Sequence, residues 1–212
     1  MGIINKGILG GFSGAVGPVV GSSWKGINYM KTLPSKKSKT SSVAQIEQQL
    51  KFSLIIHFLQ TFTALLEVTF KNYANEMTAF NSAFSYNIKN AVTGKSPDFV
   101  VDYPNALVSR GNLPNVAGPT AIAAAGGTIV FAWSDNSGTG NALPTDKVIL
   151  AIYCESMDTS IYTTGNTTRN ALTETLDVSA FSGKIVQTWI AIVSENENDA
   201  SNSYYTGQLT VS

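Results

Sequence analysis

Few residues in this chain have side chains suited to chemistry, and their spacing argues against a reaction. His57 is the single histidine and Cys154 the single cysteine. A metal ligand or general base needs partners, and His57 has no Cys, Asp or Glu at ligand spacing, so it reads as structural. Cys154 ends the apolar run VILAIYC and reads as a small core residue; alone, it excludes an internal disulfide. Gly11-x-x-Gly14-x-x-Gly17 lacks the Lys-Ser/Thr pair and following helix of a phosphate loop, so it signals flexibility or close backbone packing. Asp135-Asn136-Ser137-Gly138 has one acid and no later Glu, which suits a turn better than a calcium loop. With one histidine and scattered acids, neither a Ser-His-Asp set nor a paired-carboxylate set can be drawn. The expectation is a non-enzymatic protein with no cofactor and no metal.

The informative stretch is residues 8–34, ILGGFSGAVGPVVGSSWKGINYMKTLP, which is glycine-rich and free of carboxylates. The full chain has 212 residues, 43% of them hydrophobic and only 13% charged, so part of its surface is expected to be covered by partners. Net charge is zero but uneven. Residues 1–40 hold six lysines (Lys6, Lys25, Lys31, Lys36, Lys37, Lys39) and no acid, a balance of +6. Residues 135–212 hold nine acids against three bases, a balance of −6. A basic head and an acidic tail suit head-to-tail contact between copies. Lys6 followed by ILGGFSGAVGPVV resembles a signal peptide, but its glycines and Pro18 interrupt the apolar run and no cleavage site follows. Neither an export signal nor a transmembrane span is expected, and synthesis is placed in the cytoplasm, with a virion or cell-surface assembly as a destination.

The elements read as α+β. A basic arm with a β-hairpin covers 1–40: VGPVV, a Gly21-Ser22 turn, then SWKGINYMK, with Trp24 and Tyr29 as its large side chains. A helical hairpin covers 41–95. Ser42 and Gln45 form a capping box, and Val43, Ile46, Leu50, Leu54, Phe58, Phe62 and Leu65 make one helical stripe to about Leu66. Met77, Phe80, Phe84, Ile88, Ala91 and Val92 mark a second, antiparallel helix closed by Gly94. An extended connector covers 96–118, with short edge strands at Phe99–Val101 and Ala106–Val108. From Pro119 the period falls to two, with strands over 128–133, 147–153, 160–163, 174–178, 185–193 and 204–211, which predicts an antiparallel sandwich over 119–212.

Within that sandwich, Trp133 ends the second strand and Tyr153 ends the apolar third. Leu176-x-x-x-x-Phe181-x-Gly183 follows, and Ser201-Asn202-Ser203 precedes the last strand. This resembles a fibronectin type III or immunoglobulin-like domain, which implies a fold and not a function. The whole chain also resembles an uncharacterised family of proteins of about this length from Bacteroidetes bacteria. That likeness is carried by GGFSGAVGPVVGSSWKG, QIEQQLKFSLIIHFL, NIKNAVTG, ALVSRGNLPN and WSDNSGTG. The Gln-Gln-x-x-Phe helix after a basic arm is similar to small phage structural proteins.

Two functional expectations follow. The first is a structural subunit of a tube, filament or shell, a homo-oligomer whose arm docks on neighbouring copies. Phe12, Val16, Val19, Trp24 and Tyr29 would supply the apolar contact, and Lys36, Lys37 and Lys39 would meet Glu195, Glu197 and Asp199. The second is a binding module that recognises a glycan or cell-surface protein through the Asn/Ser/Asp/Gly-rich loops 134–145 and 195–202. Nucleic acid is not the expected partner. The lysines could meet phosphate, and Trp24 and Tyr29 could stack bases, but the acidic C-terminal part repels a polyanion.

Overall fold

The computed structural model describes residues 2–4, 10–33 and 40–212. The fold is α+β, mostly β, and forms two compact units, 1–42 and 43–212.

The first unit is a four-stranded antiparallel sheet in chain order: β1 (Ile3–Ile4), β2 (Phe12–Val16), β3 (Val19–Trp24) and β4 (Ile27–Thr32). Glycine placement explains the turns. Gly17 at φ 57° precedes Pro18 between β2 and β3, and Lys25 and Gly26, at φ 47° and 84°, join β3 to β4. Positive φ at the first or at both central positions matches the strand twist in a two-residue hairpin loop. The Gly21-Ser22 turn expected from sequence is therefore not a turn. Gly21 lies within β3, where the Phe12 carbonyl and ring occupy the place of a Cβ. That contact pairs β3 with β2, so a meander replaces the single hairpin.

The second unit begins at α1 (Val43–Gln60), directly after Ser42. The long helix expected to Leu66 breaks at Thr61–Phe62, and α2 (Thr63–Thr69) leaves at 84° to α1. Local polar bonds hold the break. Thr61 Oγ1 donates to the Phe58 carbonyl at 2.9 Å, Thr63 Oγ1 donates to the Gln60 carbonyl at 2.8 Å, and Ser160 Oγ donates to the freed Thr61 carbonyl at 2.7 Å. Among the described residues no single helix is long and apolar enough to cross a membrane; α1 and α2 would qualify only together, across that bend. α3 (Ala79–Asn90) starts at a Thr78 cap, whose side chain accepts from Asn81 N at 3.1 Å. It ends before Gly94. That glycine, at φ 94°, lies instead in β5 (Val92–Lys95), which pairs with β6 (Asp98–Val101). The second edge strand expected, at 106–108, does not form, and these residues pair with no strand. Buried Asn87 of α3 donates to the Leu107 carbonyl and accepts from Leu107 N, each at 2.9 Å, and Val108 N donates to Ser203 Oγ.

The sandwich uses β7 (Ala117–Ala124), β8 (Thr128–Ser134), β9 (Lys147–Cys154), β10 (Thr159–Tyr162), β11 (Thr167–Thr168), β12 (Thr173–Asp177), β13 (Ile185–Val193) and β14 (Tyr204–Thr210). One sheet has the order β12-β8-β7, the other β10-β9-β13-β14, with β11 also paired to β9. The two sheets, of three and five strands, are antiparallel throughout. The β9 and β13 strands are buried along nearly their whole length. Val148, Leu150, Ile152, Ile190 and Ile192 face the sandwich interior, with Phe131, Phe181 and Cys154. The alternate residues Ile149, Ala151, Tyr153, Trp189, Ala191 and Val193 face the other way, onto Phe58, Phe62, Leu65 and Leu66. The helices therefore do not form a separate domain: they are a third layer whose core is the outer face of the larger sheet.

Phe58 is the hinge of that layer, with ring centroids 5.1 Å from Tyr153, 5.9 Å from Trp189 and 5.6 Å from Phe62. Phe58→Ala is expected to cost about 3–5 kcal/mol and to leave one unfolding transition, with far-UV dichroism and tryptophan fluorescence coinciding in denaturant. A separate early helical transition would contradict a shared core.

Candidate functional site

Among the described residues, three places hold side chains that could act on a partner. The first is the N-terminal sheet, which has almost no interior. Of its residues with described burial, only Gly21 is buried. Register assigns the faces, since side chains alternate along a strand. Trp24 and Ile27 pair across β3 and β4, and Tyr29 follows on the same face. Phe12, Val16, Val19 and Met30 lie on the other. The five apolar residues expected at one interface therefore divide between two surfaces. Trp24 is 52% exposed, Tyr29 42% and Met30 72%. The β4 strand is exposed along its whole length and is the edge of the sheet. Lys36, Lys37 and Lys39 lie outside the described residues.

The second place is the end of the sandwich where loops 135–146, 163–172 and 194–203 emerge. Its anchor is Arg169, wholly buried beside buried Asp146. All five guanidinium N–H donors are used. Nε donates to the Leu143 carbonyl, Nη1 to the Asn115 carbonyl and Asn136 Oδ1, and Nη2 to the Pro114 carbonyl and Asp146 Oδ2 at 3.0 Å. The Arg169 carbonyl in turn accepts from Trp133 Nε1 at 2.7 Å. Asn115 bridges onward, its Nδ2 donating to the carbonyls of Ile190 and Asn202. Both loops proposed for recognition are thus tied to one buried cation and one asparagine. The three acids expected to meet lysines are exposed on the last loop, but not equally free. Glu197 pairs with Lys147 at 2.7 Å, which holds its carboxyl below the usual range. Asp199 accepts from Asn72 Nδ2 at 3.2 Å. Glu195 has no partner among the described residues. Asp135 makes a local turn, accepting from Ser137 N and Oγ, and those bonds lower its pKa.

The third place joins residues that lie far apart in sequence. A cleft of about 330 Å³ lies beside α1, lined by Leu50, Phe58, Phe99, Tyr103, Tyr153 and Glu155 among others. His57 is on its rim, and its Nδ1 lies 3.6 Å from Asp158 Oδ2, a partner a hundred residues away in sequence and so invisible to a spacing rule. Asp158 Oδ1 also accepts from the Tyr153 hydroxyl at 2.9 Å. Burial first, then the nearby carboxylates, push the Tyr103 and Tyr153 phenols well above 10. Among the described residues no group of three or more His, Cys, Asp or Glu could hold a metal. Cys154 is buried in the sandwich interior.

With this geometry in hand, comparison with protein families shows a match to a family of unknown function over residues 11–207. The chain belongs to the DUF6266 family. No curated protein matches it. The matched span begins inside the N-terminal sheet and ends in β14, so in DUF6266 the sheet and the helix-covered sandwich form one shared sequence unit.

In this DUF6266 chain the buried Arg169–Asp146 pair is expected to set the order of the loops. Arg169→Met should cost about 3–5 kcal/mol by stranding a buried carboxylate. Adding Asp146→Leu to it should recover part of that loss in a denaturant titration. Equal losses in the single and double variants would show that the pair itself is not the source.

Proposed function

We propose that this protein is a non-enzymatic structural subunit that self-assembles by laying its N-terminal sheet on a neighbouring copy. One observation carries the reading. A four-stranded sheet with no large buried side chain exposes Trp24, Ile27 and Tyr29 on one face and Val16 and Met30 on the other. Folding such a sheet fixes its backbone with little apolar burial in return, so a covering surface has to supply the difference. The second unit needs no such help, since both of its core clusters are built from residues after 54.

The occupant we assign is a second copy of the chain. Charge supports it, because the basic segment 1–40 and the acidic segment 135–212 complement each other. An apolar landing strip is also present: Val43, Ile46 and Leu50, spaced along one face of α1, are all exposed. The free edge of β4 offers backbone hydrogen bonds to a strand of the neighbour. Of the three acids considered, Glu195 is the one still open to a linker lysine. A tube, filament or shell, including a phage-like virion part, is the class of product. The same reading keeps GFSGxVGxVVGSSWKG as the family's shared N-terminal motif and Bacteroidetes as its source.

A second reading is favoured by the Arg169 and Asn115 network, which preorganises two polar loops at one end as a glycan- or protein-binding surface would require. A single strong ligand bound by a monomer on a glycan array would support that alternative.

Deleting residues 1–34 is expected to leave a folded monomer in sedimentation, and Trp24→Ala to weaken association by about 2 kcal/mol without lowering the melting temperature of the sandwich. Assembly of the truncated chain at the concentration of the intact one would rule the reading out.

A further inference from the structure

We infer that the cleft beside α1 is a binding site for an ammonium or guanidinium group carried on an aliphatic stem. Its wall is aromatic. Phe58, Tyr103 and Tyr153 stand with ring centroids 5.1 to 6.1 Å apart, and Phe99 closes the other side. Pro97, Leu50 and Leu54 add apolar surface that suits a methylene chain. At the rim stands the exposed carboxylate Glu155 beside Tyr103, while Asp158 accepts from the Tyr153 hydroxyl at 2.9 Å. A phenol that donates to a carboxylate gains electron density in its ring, which strengthens its attraction for a cation.

Aromatic faces with a carboxylate at the edge are poor hosts for anions and neutral polar groups, and good ones for cations. The fold already shows the preference. Lys51 Nζ lies 4.7 Å from the centroid of Phe99, so a cation of the chain itself has settled on one of these rings. A cleft of about 330 Å³ is ample for a single side-chain head group. The site stands on this geometry and does not depend on arm exchange. Leu50 lines the cleft and also belongs to the exposed α1 strip, so a lysine of another copy docked there is one source of the cation. A free alkylamine is the other.

The test uses the full-length protein and n-butylammonium chloride at constant ionic strength, followed by NMR of the aromatic side chains. Saturable shifts of Phe99 and Tyr103 are expected at a concentration on the order of millimolar. Binding should weaken roughly fivefold in Glu155→Gln, whose exposed site should not disturb folding. 1-Pentanol, the neutral probe of similar shape, should bind more weakly than the ammonium. No saturable shift, or equal affinity for 1-pentanol, overturns the inference, as does undiminished binding by a folded Glu155→Gln. A peptide of residues 34–40, PSKKSKT, run in parallel separates the sources. Tighter binding than butylammonium assigns the site to linker lysines, and equal or weaker binding assigns it to a free amine.

Discussion

A β-strand has two faces, and in β9 and β13 both are covered by hydrophobic side chains. The sandwich closes one face and the helices close the other. Everything in residues 43–212 answers to that requirement. The helices could not leave without exposing Trp189, Tyr153 and Ile149 to water. Across the bend between α1 and α2, Phe58 of one helix and Leu66 of the other enter the same buried cluster. The connector at 106–116 then has only one course left, held by Asn87 on the helical side and Ser203 on the sheet side.

The N-terminal sheet presents the opposite case. It has four strands, sound turns and good register, yet neither face is closed. One polypeptide therefore contains a sheet with both faces covered and another with none. The physical cost of the second is what makes association the reading favoured here. Polar structure follows the same division. The buried Arg169 has every donor satisfied, and around it two loops gain a fixed order. Glu195, by contrast, remains open to solvent.

Much of the sandwich was legible because its signals are local. Alternation and turn residues located β8, β10, β12 and β14 to within a residue or two, and the run 185–193 matched β13 in full. What stayed hidden was non-local. The unbroken apolar runs of β9 and β13 carry the sign of two-sided burial, since a strand with one wet face alternates, but a run alone does not name what covers each face. The break at Thr61 depends on Ser160, and the partner of His57 is Asp158; both are contacts across about a hundred residues. Gly21 and Gly94 misled for a related reason. Gly21 serves close backbone approach to Phe12 rather than a turn, and Gly94 supplies a positive φ inside a hairpin rather than a helix cap. The aromatic cleft draws its walls from three separate segments, so no single window of sequence contains it.

The central claim is that the sheet of residues 2–33 is held by a sister molecule. Hydrogen exchange of the β4 amides, Ile27 to Thr32, measured across a wide range of protein concentration, addresses it most directly. Protection that rises with concentration, while the β13 amides stay constant, is the predicted result. Exchange in β4 that is equally slow at every dilution would contradict the account.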